Sequence, residues 1–123
     1  MKVYKVVIFS QRTSAAARGK YCLVYAPIGK VVKALDGTMG IMCFENRADA
    51  EAFICKYPYV YGWVIIEVEG IGKPFRPRRV CQYTSGQMLD RYYTSRRGHK
   101  RRSGYTEQAP TGTICFPAVK VLT

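Results

Sequence analysis

The densest chemistry in this chain lies between Lys73 and Tyr105. Lys73, Arg76, Arg78, Arg79, Arg91, Arg96, Arg97, Lys100, Arg101 and Arg102 stand there against one acid, Asp90, and they are half of the 20 Lys and Arg residues. Tyr83, Tyr92, Tyr93 and Tyr105 are threaded among them. A guanidinium grips phosphate oxygens through two parallel hydrogen bonds and also stacks on a base. A tyrosine ring adds stacking, worth about 1–3 kcal/mol per base in single-strand binders. Pro74 and Pro77 flank the first arginines and lower the entropy cost of presenting them. This pattern predicts a site for a ligand that carries both phosphate and base. Arg76, Arg78 and Arg79 would neutralise the phosphates, and Tyr83, Tyr92 and Tyr93 would stack on the base or wall the pocket. The hydroxyls of Ser14, Thr111 and Thr113 could add contacts.

Other chemistries find less support. Glu67 and Glu69 alternate on one strand and so point to the same face. A pair of that kind serves ADP-ribosyltransferases, together with an arginine and a Ser-Thr-Ser strand. Here Arg12 and Ser14 share one loop and imitate those partners poorly. The single histidine, His99, stands in the basic stretch with no residue to orient it, so nucleophilic pairing of the Ser–His or Cys–His kind is not indicated. Cys22, Cys43, Cys55, Cys81 and Cys115 are widely spaced, odd in number and set in apolar runs. They predict small core residues in a reducing cytosol, with no disulfide framework, no metal site and no cofactor. No apolar run approaches the ~20 residues of a membrane helix. A formal charge of +12 on 123 residues favours anionic partners.

The elements that must hold the basic stretch follow from pattern. Lys2–Phe9, Tyr21–Ala26, Val31–Leu35, Gly40–Phe44 and Gly62–Glu69 read as strands. In the last of these, Val64, Ile66 and Val68 face one way and Trp63, Ile65, Glu67 and Glu69 the other. Ser10–Lys20 reads as a loop, with turns at Pro27–Lys30, Asp36–Thr38 and Pro110–Gly112. Asn46–Tyr57 reads as the main helix, N-capped by Asn46 with Asp49 as a shortened capping-box partner. Ala48, Ala52, Phe53 and Cys55 form its apolar stripe. Arg79–Tyr83 could form a short strand, and Ser85 could cap a short helix over Gly86–Tyr93. Thr94–Thr106 has no periodicity and reads as a mobile basic loop. Thr113–Leu122 reads as a last strand that Pro117 would confine to an edge or a bulge. The expected fold is a single α+β domain over residues 1–123, with a largely antiparallel sheet, one main helix and a long basic loop.

Several segments resemble a group of small phage-encoded proteins. They are Lys2-Val-Tyr-Lys-Val-Val7, Thr13-Ser14-Ala15, Tyr21-Cys-Leu-Val-Tyr25, Gly40-Ile-Met-Cys-Phe44, Ala50-Glu-Ala-Phe53, Pro110-Thr-Gly-Thr113 and Pro117-Ala-Val-Lys-Val-Leu122. Within that group the chain is most similar to the first Thoeris anti-defence (Tad) family. The likeness covers both ends and the middle but not the basic stretch. It implies a sponge that binds a cyclic ADP-ribose-type signal, or a cyclic oligonucleotide, without degrading it. It also implies a homo-oligomer in the cytoplasm of the bacterial host, with Lys30 and Gln108 as rim contacts. Two further readings stand beside it: a nucleic-acid-binding protein that uses the whole basic stretch, and an enzyme centred on Glu67 and Glu69. The basic stretch itself divides into Lys73–Tyr93, able to form a defined wall, and Thr94–Tyr105, charge on a tether.

Overall fold

The computed structural model describes residues 1–15, 19–81 and 106–123. Its sheet is assembled on β1 (Lys2–Ile8), which pairs with β5 (Trp63–Ile71) along its whole length, from Lys2↔Glu69 to Ile8↔Trp63. The other side of β1 takes β2 (Thr13–Ser14) at Val7 and Ile8, and β4 (Ile41–Phe44) at Tyr4↔Phe44. Outward from there, β4 pairs with β8 (Thr113–Phe116), β5 with β9 (Ala118–Val121), and β9 with β3 (Val31–Lys33). Every one of these pairings is antiparallel, and the order is β3-β9-β5-β1-β4-β8. With one helix, α1 (Arg47–Cys55), packed on it, the sheet makes an α+β fold as the pattern of elements predicts.

β8 and β9 are one extended segment divided at Pro117, yet they lie on opposite sides of that order. The sheet therefore curls until its two sides meet at the proline. A residue without an N–H fits a corner, where the chain leaves one ladder and joins another. The expected single last strand is split: β8 is the end strand of the order, whereas β9 is not at an edge but is flanked by β3 and β5. Close approach of backbone at the corner explains two glycines. A Cβ on Gly70 would stand 2.5 Å from the Phe116 ring, and one on Gly40 would stand 2.6 Å from the Phe116 carbonyl oxygen.

Alternation sorts the side chains. Ile66 and Val68 of β5 point into the curled sheet, where they meet Val3, Val7, Ile114, Phe116, Val119 and Val121. Val64 packs against the same cluster from a half-buried position. The opposite face carries Val6 and Phe44 with Ala50, and around them pack Tyr4, Phe53, Ile54, Trp63 and Ile65, so α1 covers that side. Phe53 and Trp63 stack with centroids 5.7 Å apart.

Several local expectations are corrected. Ala48, Ala52 and Cys55 are exposed, and the buried helix stripe is instead Ala50, Phe53 and Ile54, with Tyr57 edge-on to Phe53 one turn further. Asn46 has the extended backbone of an N-cap, but its side-chain oxygen accepts no helix N–H, and its amide instead donates to Asp49 Oδ2 at 3.2 Å. Tyr21–Ala26 is not a strand: Gly19–Tyr21 is a 3-10 turn, and only Val24 bridges, to Thr13. The expected loop Ser10–Lys20 supplies β2. Thr106 leaves the expected loop and opens β7 (Thr106–Gln108), which pairs with β6 (Arg79–Cys81) in a separate ribbon. The rest of the expected loop, and the expected helix at Gly86–Tyr93, lie outside the described residues. Among the described residues no helix is long and apolar enough to cross a membrane.

Gly70→Ala is expected to destabilise the fold by about 1–3 kcal/mol, because the Phe116 ring is buried on all sides and overpacking costs that much. Urea unfolding should show a lower midpoint with an unchanged slope, and Phe116→Leu added to Gly70→Ala should recover part of the loss.

Candidate anion-binding cleft

The first arginines are placed by a single backbone docking. Phe75 lies beside the outer edge of β8, where its N–H donates to Cys115 O at 2.9 Å and its carbonyl accepts from Cys115 N at 2.7 Å. Pro77 is buried two residues later. The chain then enters β6, where Arg79 faces Gln108 across the ribbon, and Ala109 N donates to Arg78 O at 2.9 Å. The return path turns at Pro110–Thr113. Thr113 N and Oγ1 both donate to Pro110 O, at 3.2 and 2.6 Å, and Gly112 adopts a φ of 81°.

Between the ribbon and this turn lies an open cleft of about 500 Å³. Pro77, Arg78, Arg79, Gln108, Pro110 and Thr113 are among its lining residues, and no acid is. Its size is that of a small-molecule site. Arg78 is exposed, and among the described residues it enters no ion pair. Arg79 is half-buried.

The residues singled out in the sequence divide accordingly. Arg78, Arg79, Gln108 and Thr113 come together at the cleft, and Thr111 sits exposed in its turn. Thr113 has committed its one hydroxyl proton to Pro110, so it shapes the turn and has none left for an anion. Arg76 does not line the cleft. Its Nε donates to Glu45 Oε1 at 2.7 Å, and its Nη2 contacts the same oxygen. Lys30 belongs to the Pro27–Lys30 turn beside β9, where its carbonyl accepts from Val121 N. Ser14 is buried on β2 and lines a different cavity. Tyr83, Tyr92 and Tyr93 lie outside the described residues. Glu67 sits 3.7 Å from Lys2 Nζ, and Glu69 takes the Met1 amino group at 2.7 Å; neither lines the cleft.

Lys5 escaped the sequence reading. It follows the alternation Val3, Lys5, Val7 and so faces the interior, where it is buried. Its Nζ donates to Met42 O at 2.7 Å and lies 5.5 Å from the centre of the Tyr25 ring. Burial pushes the amine's pKa down, and the nearby thiols of Cys43, Cys115 and Cys22 work weakly the other way. The signal was present in the strand pattern: a lysine flanked at both i−2 and i+2 by core valines.

Cys43 and Cys115 are buried as expected, Cys22 is half-buried and Cys55 is exposed; all four are free. Burial pushes the Cys43 thiol up to about 11 and raises Cys115 as well. Among the described residues no group of His, Cys, Asp and Glu could hold a metal ion. No protein-family model matches the chain, and neither does any curated protein or solved structure.

Two outcomes are expected. Arg76→Ala should change stability by less than about 1 kcal/mol in denaturant titrations, since its ion pair is exposed. The raised Cys43 thiol ties stability to pH. The unfolded chain ionises near 9.0 and the folded chain near 11, so the stabilisation is complete below 9 and is lost as pH climbs towards 11. Lys5, shifted downward, acts in the opposite sense, so wild type must be compared with Cys43→Ala. Between pH ~8 and ~10.5 the variant should lose less stability than wild type, by up to about 2 kcal/mol.

Proposed function

We propose that the protein binds a phosphate-bearing nucleotide signal in the Arg78–Arg79 cleft and holds it without chemical change. The observation that carries this reading is the cleft itself: Arg78, Arg79 and Gln108 line one open space of nucleotide size, and no acidic residue is among its lining. Phosphate would sit against Arg78 and Arg79, where charge-assisted hydrogen bonds are short and strong. Gln108, with both a donor and an acceptor, can address the edge of a base or a ribose hydroxyl. The ribbon that carries these residues flanks residues 82–105 in the chain, so Tyr83, Tyr92, Tyr93 and the later cations are joined to its end. A nanomolar complex needs about −12 kcal/mol, within reach of a few such bonds with one stacked base.

The resemblance of the strand and turn segments to the first Tad family supports a narrower form. The ligand is then a cyclic ADP-ribose-type signal or a cyclic oligonucleotide, captured by a homo-oligomer in the cytoplasm of the bacterial host so that anti-phage defence is not triggered. Glu67 and Glu69, both in ion pairs, give an enzymatic reading little to work with.

To test it, the protein is incubated with a cyclic ADP-ribose-type nucleotide, freed of unbound ligand and heat-denatured, and the released material is identified by chromatography. Intact nucleotide is expected. A cleaved or transferred product would replace sequestration with catalysis, and salt-sensitive retention of RNA or DNA without nucleotide capture would point to nucleic acid. Arg78→Ala combined with Arg79→Ala should weaken capture by at least about 100-fold, as each lost hydrogen bond to a charged group costs about 1.5–3 kcal/mol. Arg76→Ala should capture as wild type does.

A further inference from the structure

Four aromatic side chains reach the surface where the β1–β5 ladder ends. Ile8↔Trp63 is the last pair of that ladder, and just beyond it the Phe9 N–H donates to Gly62 O at 2.7 Å. The chain that leads from α1 into β5 reads Lys56-Tyr-Pro-Tyr-Val-Tyr-Gly62. Tyr59 is 89% exposed, Tyr61 87%, Phe9 69% and Tyr57 39%, and Val60 among them is 40% exposed. Apolar residues exposed singly are ordinary, but a group this dense marks a contact surface.

The rim is fixed in place. Tyr57 N donates to Ile54 O at 3.0 Å and Val60 N to Tyr57 O at 3.0 Å, which folds residues 57–60 into a turn on the end of α1. The Tyr57 ring meets Phe53 and Trp63 edge-on, with centroids 5.3 and 5.5 Å away. Gly62, at a φ of 84°, then redirects the chain into β5. Rings presented on a fixed turn lose little freedom when they are covered, and tyrosine is among the residues that dominate interfaces.

Area, charge and chemistry together choose the occupant. An aromatic side chain buries about 150–250 Å², so the exposed fractions of the four rings sum to roughly 400–700 Å² on one copy and twice that when the rim meets itself. A specific interface needs about 1,000 Å² in total, so a self-contact is large enough for a dimer of modest affinity. Lys56 is the only charged side chain from Cys55 to Trp63, which leaves little for an acidic or phosphate-bearing partner to read. On a chain of charge +12, two copies repel each other least where cations are sparse. A tyrosine hydroxyl both donates and accepts, so a two-fold axis that sets this surface against its own copy lets it satisfy itself.

We propose that the rim formed by Phe9, Tyr57, Tyr59 and Tyr61 is the surface through which two copies of the chain pair about a two-fold axis. α1 lies between this rim and the arginine cleft: Asp49, in its first turn, stands beside Gly112 at the cleft, and its last turn runs into Tyr57. None of the rim residues lines the cleft, so pairing leaves it open. The pairing does not rest on what the cleft binds.

The test is sedimentation equilibrium on nuclease-treated, nucleotide-free protein from low to high micromolar concentration. The mass should rise from that of one chain to that of two. Tyr59→Ser combined with Tyr61→Ser should weaken pairing by about 10–100-fold and leave the unfolding of the dilute protein unchanged, because both side chains are already exposed. Added salt should strengthen the wild-type dimer by screening the repulsion between two basic copies; pairs bridged by nucleic acid or another anion would weaken instead and would overturn the proposal. A wild type that stays monomeric, or a dimer indifferent to the double substitution, also refutes it. So does a monomer that binds phosphatidylserine vesicles only while Tyr59 and Tyr61 are intact, which would assign the rim to a membrane surface. The Arg78→Ala, Arg79→Ala double variant should pair as wild type does. A protein that captures nucleotide as a monomer would sink the pairing and leave the capture reading standing.

Discussion

The packing of Phe116 against the bare backbone of Gly70 is the contact on which the rest of the molecule depends. β8 and β9 can belong to opposite sides of one sheet only if the chain turns sharply between them, and Pro117 marks that turn. The ring just before it must then enter the interior beside β5, and only a residue without a side chain leaves space there. Gly40 performs the same service just before β4, facing the Phe116 carbonyl. Closing the sheet gives it an inside lined by valines and isoleucines and an outside that α1 covers. It also leaves the outer edge of β8 free to dock Phe75, and that docking delivers Pro77, Arg78 and Arg79 to the cleft.

Charge is distributed unevenly over this frame. With 20 basic and 8 acidic residues, most cations cannot find a carboxylate. Where pairing occurs it is structural: Arg76 with Glu45, Arg47 with Glu51, Lys2 with Glu67. Arg12 is spent on backbone carbonyls of Tyr25 and Thr123. These exposed contacts each contribute little to stability. The carboxylates they engage are not among the residues that line the cleft with Arg78 and Arg79. Lys5 stands apart from these: it is buried in the sheet interior, donates to Met42 O, and burial lowers its pKa.

Much of this was legible in the chain, and the failures have physical causes. β1 and β5 were readable because alternation over a long strand sets one face inward, and the glycine turns were readable because their backbone angles require it. The helix was found but its phase was wrong: Ala48, Ala52 and Cys55 are small enough to sit on either face, and the decision was made by Phe44 and Trp63, distant in sequence, which draw in Ala50, Phe53 and Ile54. The ribbon of β6 and β7 was missed in its second strand because Thr106-Glu-Gln108 has no apolar pattern and is held by pairing across a long separation. Arg78, Arg79, Gln108 and Thr113, which their chemistry singles out, do meet, whereas Arg76, of identical chemistry and two residues away, is drawn off by Glu45. Local composition does not reveal which arginine a distant carboxylate will claim.

The turn that closes the cleft shows how firmly its shape is tied to the helix. Gly112 sits at a φ of 81°, and a Cβ there would stand 2.2 Å from Asp49 Oδ2. That carboxylate is in turn fixed by the Asn46 amide at the start of α1, and Glu45 N holds the Gly112 carbonyl at 2.8 Å. Thus the β4–α1 junction clamps the Pro110–Thr113 turn from both its backbone and its side-chain sides. The opposite wall is held by Phe75 and Cys115, on the strand that carries the Phe116 corner. Both walls are therefore secured to the closed sheet before any ligand arrives. A cleft whose walls are fixed in advance has little conformational entropy left to lose when it is filled. Asn46, which the sequence suggests as a helix cap, instead hydrogen-bonds the Asp49 carboxylate that stands beside this turn.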